Sequence, residues 1–205
     1  RLMDSFERLV SLFKEFPGIG PRQAERFAYF LLSQNNEYRK TLSQEIVHIA
    51  PKMKSCPTCF RFHTGQTDTC SICKDVARDK HTLLVVAKDV DYKAIEKTKT
   101  YTGLYFVLGG TIPILDKEPE KRVRLDELKE RIQKTKTELK EIILALSITT
   151  EGEYTREFIE SQIRPLILGT SIQISIPGRG MSTGTEIEYS DSETIKNALS
   201  HRTLE

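Results

Sequence analysis

The chain has 205 residues, 38% of them hydrophobic, enough to bury a core in more than one unit. Its 31 Lys and Arg against 29 Asp and Glu leave a formal charge of +2, too little to single out a nucleic-acid binder by charge alone. No run approaches the ~18 apolar residues needed to span a bilayer, so no membrane helix is expected. The opening RLMDSFERLV lacks the charged-then-apolar layout of a secretory signal, and the expected compartment is the cytoplasm. Arg1, standing where an initiator methionine would, suggests a native start that was trimmed or replaced.

The N-terminal stretch reads as helical. Residues 4–14, DSFERLVSLFK, put Phe6, Leu9, Val10 and Phe13 at helical spacing behind an Asp4–Glu7 capping pattern. The string PGIGP breaks that helix, and a second is predicted from Pro21, whose missing N–H costs nothing in a first turn. It continues as an apolar stripe through Ala24, Phe27, Ala28, Leu31 and Leu32. A third helix fits TLSQEIVHIA at 41–50, and the unit is expected to end near Lys54. Residues 1–55 carry nine Lys or Arg against six Asp or Glu, a lean toward an anionic partner at this end.

The hairpin itself has the parts of a phosphate site. Gly18 and Gly20 let a ligand or a second backbone come into contact. The helix after them offers free N–H donors and a partial positive charge at its N-terminus. Arg22 and Arg26, four apart, share one helix face and can extend the contact along a strand. A G-x-G between helices is by itself more often a plain αα-hairpin. The full string P-G-I-G-P-R is closer to the helix-hairpin-helix of DNA-binding proteins.

All four cysteines fall within 18 residues, as Cys56-x2-Cys59-x10-Cys70-x2-Cys73. Each C-x-x-C forms a knuckle that turns two thiolates toward one centre, and two knuckles complete a tetrahedron. Two disulfides fit poorly with a chain lacking export signals, and a redox dithiol needs one pair rather than two. The spacing therefore predicts one structural Zn2+ per chain, in a closed site that supplies folding free energy and no catalysis. His63 lies inside the loop and can replace a ligand, although four thiolates already fill the shell.

Beyond the cysteines, short apolar runs alternate with helical ones. Strands are predicted at TLLVVA (82–87), GLYFVLGG (103–110), IILALSI (142–148) and SIQISI (171–176). Helices are predicted at 89–98, 124–141 and 153–167, the second amphipathic through Leu125, Leu128, Ile132 and Leu139. Such alternation argues for a mostly parallel sheet covered by helices. The tail SDSETIKNALSHR opens on an N-cap, Ser192 or Asp191, and reads as a final helix.

The order of hairpin, four-cysteine segment and parallel-sheet unit resembles the RecR family of bacterial recombination mediators across nearly the whole chain. The strings that carry the likeness are LFKEFPGIGPRQAERFAYFLL, CPTC…CSIC, AIEKT…GLYFVLGG, ILALSITTEGEYT and GRGMSTGTEIEYSDSETI with its closing AL-x-x-R. The resemblance implies an α+β chain of four parts: a helix-hairpin-helix unit at 1–54, a zinc finger at 55–74, a Toprim-like α/β domain at 75–168, and a C-terminal Walker B-like segment at 169–205. It further implies a non-enzymatic protein, assembled as a ring-like homotetramer, that binds single- and double-stranded DNA. Such proteins work with RecO-like and sometimes RecF-like partners to load recombinase at single-stranded gaps.

Toprim enzymes hold magnesium with a Glu after the first strand and an acidic pair after a later one. Here Glu151 and Glu153 follow IILALSI, at the carboxyl edge where α/β sheets place their sites. The glutamate expected after the first strand aligns with Ala87, beside Lys88, and neither side chain ligates magnesium. Asp89 and Asp91 lie near enough to leave a weak site open. Glu151 and Glu153 also read as charges complementing the dipole of helix 153–167, or as a partner-binding surface. The rival reading is a magnesium-dependent nuclease or strand transferase using those two carboxylates; Ala87 and the lack of a nucleophile motif count against it. The segment IPGRGMSTGTEIEYSD has no phosphate-cradling P-loop, and its Glu188 and Asp191 read as cap and surface charges or as contacts to another subunit. The histidines at 48, 63, 81 and 201 show no catalytic partnership.

Overall fold

A computed structural model describes residues 4–178 and 192–200. The chain falls into two units, Arg1–Met53 and Lys54–Glu205. The segment carrying Glu188 and Asp191 lies outside the described residues.

The first unit holds three helices, α1 (Ser5–Lys14), α2 (Pro21–Ser33) and α3 (Asn36–Lys52). Asp4 caps α1 by accepting the Glu7 amide at 2.9 Å, and Asn35 caps α3 by accepting that of Tyr38 at 2.8 Å. α1 and α2 pack closely because the α2 residues at the crossing, Ala24 and Ala28, are small and fully buried. Aromatic pairs flank them: Phe13 meets Phe27 edge-on at 5.7 Å between ring centroids, and Phe6 meets Tyr29 at 4.9 Å. Leu12, Phe16, Leu32 and Ile46 stay more than half exposed and line an apolar groove of about 800 Å³.

In the second unit, two short strands, β1 (Lys54–Ser55) and β2 (Phe62–His63), pair antiparallel and lead to the one-turn α4 (Ser71–Lys74). Then follow β3 (Asp79–Val86), α5 (Asp89–Thr98), β4 (Gly103–Val107), a 3-10 turn at Pro119–Lys121, α6 (Leu125–Thr135), β5 (Glu141–Ala145), α7 (Thr150–Ile167), β6 (Gln173–Ser175) and α8 (Ser192–Ser200). The large strands form one sheet in the order β4-β3-β5-β6, every pairing parallel. Strand side chains alternate between faces. Leu83, Val85, Phe106, Ile142 and Leu144 pack with Leu128 and Ile132 of α6 and Ile159 and Ile163 of α7. Leu84, Val86, Tyr105 and Val107 pack on the opposite side with Tyr92 of α5, Ile72 and the cysteines. Both faces are covered, which is why TLLVVA is apolar without alternation.

Element limits differ from the sequence expectation where apolar spacing is silent. α3 starts at Asn36, five residues before 41, because its cap and first turn are polar. α6 ends at Thr135 instead of 141: the chain turns so that Leu139 reaches the core and Glu141 opens β5. α7 starts at Thr150 instead of 153, since Thr149 accepts the Gly152 amide at 3.1 Å. β4 stops at Val107, before Gly109, whose φ is +97°.

Candidate functional site

The sulfurs of Cys56, Cys59, Cys70 and Cys73 lie within 4.8 Å of one another. Local geometry builds each half. The Phe60 amide reaches back to the Cys56 carbonyl at 2.8 Å, with Phe60 left-handed at φ 61°, and Cys70 caps α4 by accepting the Cys73 amide at 3.5 Å. The Cys70 amide points at the Cys56 sulfur at 3.4 Å. The Cys59–Cys70 sulfur separation of 3.6 Å is far beyond a disulfide bond. It matches the ~3.8 Å edge of a tetrahedron of thiolates ~2.3 Å from a zinc ion. The contact from Cys59 pulls the Cys70 thiol well below its usual range, and the same contact, added to Cys73 and burial, pushes Cys59 up. Four sulfurs gathered this closely, three of them buried, are a donor set for a soft divalent cation. These four cysteines can hold a metal ion. His63 is not among the ligands in this arrangement: its Nε2 donates to the Asp68 carbonyl at 2.8 Å and its Nδ1 accepts the Gly65 amide at 3.2 Å.

The finger is built into the sheet unit. Val107 of the edge strand β4 donates its amide to the Cys59 carbonyl at 2.8 Å, and Asp89 accepts the Phe62 amide at 2.8 Å.

In the first unit, the turn between α1 and α2 contains Gly18 and Gly20. Gly18 has φ +77°, which requires glycine, whereas Gly20 is extended at φ −82° and open to any residue. A Cβ on Gly20 would meet no atom within 4 Å, so packing within the protein does not explain this glycine. Gly20 is the N-cap of α2, and unlike α1, α3 and α7 this helix has no side-chain cap. Arg22 and Arg26 follow in its first two turns, both exposed, and Arg26 donates to the Gln23 side-chain oxygen at 3.5 Å.

The carboxyl edge of the sheet carries Glu151 and Glu153 in the first turn of α7. Glu151 accepts the Thr111 hydroxyl at 3.3 Å, and Glu153 pairs with Arg156 at 3.2 Å. Between them, Gly152 lets the helix approach the preceding loop: a Cβ there would lie 2.0 Å from the Ser147 carbonyl oxygen. Buried Thr155 ties this turn to the β4 loop, accepting the Ile112 amide at 2.8 Å and donating to the Glu151 carbonyl at 2.6 Å. Ala87 is buried, and Asp89 and Asp91 are engaged by the backbone amides of Phe62 and Lys88. Among the described residues, the cysteines are the one group of three or more His, Cys, Asp or Glu gathered tightly enough for a metal; the carboxylates are not.

A family model for the RecR helix-hairpin-helix matches residues 6–50, one for the Toprim domain residues 81–176, and one for the RecR C-terminal segment residues 180–203. The recombination protein RecR of Chloroherpeton thalassium is 36% identical over 198 residues, covering 96% of this chain and 95% of that protein. That of Bdellovibrio bacteriovorus is 33% identical over 98% of this chain and 97% of its own length. The chain belongs to the RecR family. That of Phocaeicola vulgatus is 35% identical over 97% of this chain and 93% of its own length. Family membership brings a role in recombination and repair, carried by a helix-hairpin-helix and a Toprim fold on one RecR chain. Within this RecR fold, sequence reading missed Thr111, Thr155 and Arg61, whose partners Glu151, Ile112 and Tyr92 lie 40, 43 and 31 residues away along the chain.

Proposed function

We propose that this protein is a recombination mediator that holds DNA without cutting it. Its hairpin, Gly18, Gly20, Arg22 and Arg26, grips phosphates. The observation that carries this reading is Gly20: a glycine that neither φ nor internal packing demands, at an uncapped helix N-terminus followed by two exposed arginines. Such a turn leaves room for a phosphate oxygen beside free N–H groups. The contacts run to backbone and not to base edges, so binding is indifferent to sequence and accepts single and double strands.

In this reading the four cysteines hold one structural zinc, and the chain assembles as a tetramer in the cytoplasm. The apolar groove of the first unit supports self-association, since exposed Leu12, Phe16, Leu32 and Ile46 gain by leaving water. Glu151 and Glu153 serve RecO-like or RecF-like partners that help load recombinase, and they do not catalyse. Incubation with end-labelled single- and double-stranded DNA and magnesium is the test. Binding with intact DNA is expected; magnesium-dependent cleavage would return the enzyme reading, and absence of binding would leave an adaptor. Sedimentation with and without DNA reads the assembly.

A further inference from the structure

The four sulfurs sit in a largely buried place: Cys56, Cys59 and Cys70 are at most 1% exposed. On the zinc reading proposed above, four thiolates and one divalent cation leave two net negative charges there. Buried charge is costly unless neighbours offset it. The two backbone amides that point at sulfur, from Cys70 and Cys73, spread part of it.

Arg61 stands beside this cluster. Its carbonyl accepts the Cys56 amide at 3.0 Å, so its backbone belongs to the first knuckle. Its half-buried side chain donates from Nη1 to the Tyr92 hydroxyl at 2.5 Å and from Nη2 to the Ser71 hydroxyl at 3.3 Å, next to Cys70 in the chain. The guanidinium carbon lies 4.9 Å from the Tyr92 ring centroid. Its Nε is buried with no hydrogen-bond partner. No carboxylate pairs with Arg61 among the described residues: its direct partners are two hydroxyls and a ring, all neutral. With no carboxylate beside it, a guanidinium bonded to Ser71, the residue after Cys70, is placed to answer the charge of the sulfur cluster.

We infer that Arg61 is the positioning residue of the metal centre: its guanidinium supplies compensating charge beside the sulfurs and clamps the finger to α4 and α5 through Ser71 and Tyr92. Arginine suits both tasks, because its planar fork reaches two acceptors while the charge stays permanent. Metal retention is then set partly by a residue that donates no ligand.

The full-length protein is compared with Arg61→Met, Arg61→Lys, Arg61→Gln and Tyr92→Phe. Zinc content comes from elemental analysis, release rate from transfer to a chromogenic chelator, and sulfur electron density from the charge-transfer absorption of Co2+-loaded protein. Arg61→Met is expected to release zinc about 10- to 100-fold faster, the usual span for losing an outer partner of a metal site. Its charge-transfer band should move to longer wavelength. Arg61→Lys should hold the band near its wild-type position, and so should Tyr92→Phe, which keeps the charge. If the Met variant does not fold, Lys against Gln carries the test, since Gln keeps donors without charge. Wild-type protein without zinc would overturn the zinc reading, and this inference with it. Wild-type protein with zinc, but equal release and equal band position in the Lys and Gln variants, would overturn the role of Arg61 alone.

Discussion

The Val107 amide donates to the Cys59 carbonyl at 2.8 Å, so at this point the outer edge of β4 is paired with one of the four clustered cysteines. An edge strand otherwise presents such donors to solvent or to another chain. The finger is thereby part of the sheet's own hydrogen bonding and of one of its two cores. Chelator treatment under reducing conditions is expected to loosen β4 as well as the four-cysteine segment. Hydrogen exchange with and without chelator reads this at the Val107 amide, which should lose protection. Unchanged protection at Val107 in metal-free protein would show that the edge holds by itself.

The two hairpin glycines are expected to separate folding from binding. Gly18→Ala forces a side chain into the left-handed region and should cost the first unit about 1–2 kcal/mol. Gly20→Ala meets no atom of the protein and should leave the melting curve nearly unchanged while weakening DNA binding. Equal affinity of Gly20→Ala and wild type would remove the main support for a phosphate at this turn.

Arg22→Ala combined with Arg26→Ala should weaken DNA binding in a folded protein. The slope of log K against log salt should flatten by about 0.7–0.9 for each phosphate that is no longer neutralised. An unchanged slope together with unchanged affinity would leave the hairpin a plain turn.

The acidic edge is expected to be structurally demanding and chemically silent. Gly152→Ala drives a methyl group into the Ser147 carbonyl and should destabilise the second unit by about 1–3 kcal/mol. Thr155→Val strands the Ile112 amide in a buried place, at a similar cost of about 1–3 kcal/mol. Thermal denaturation measures both. By contrast, Glu151→Gln with Glu153→Gln should leave DNA binding close to wild type and abolish no nuclease activity. Magnesium-dependent nicking that disappears in this double variant would overturn that assignment.

Where neighbours are close in sequence, the sequence was enough. The C-x-x-C spacing brings each pair of sulfurs together by chain geometry alone, and the helix at 89–98 has the limits that its spacing predicts. The strand–helix alternation determined a parallel sheet, because each helical crossover returns the chain in the same direction. Polar first turns were illegible: Asn35 and Thr149 extend α3 and α7 backward through caps that apolar periodicity does not register. The tertiary structure decided the fate of Asp89 and Asp91, which backbone amides consume, so the carboxylates do not gather into a metal site among the described residues. It also decided why Gly152 separates two glutamates, and which groups receive Arg61 and Thr155. Those partners, Tyr92 and Ile112, lie 31 and 43 residues away along the chain. Contacts at that separation follow from how the sheet, finger and helices pack, and no local spacing encodes them.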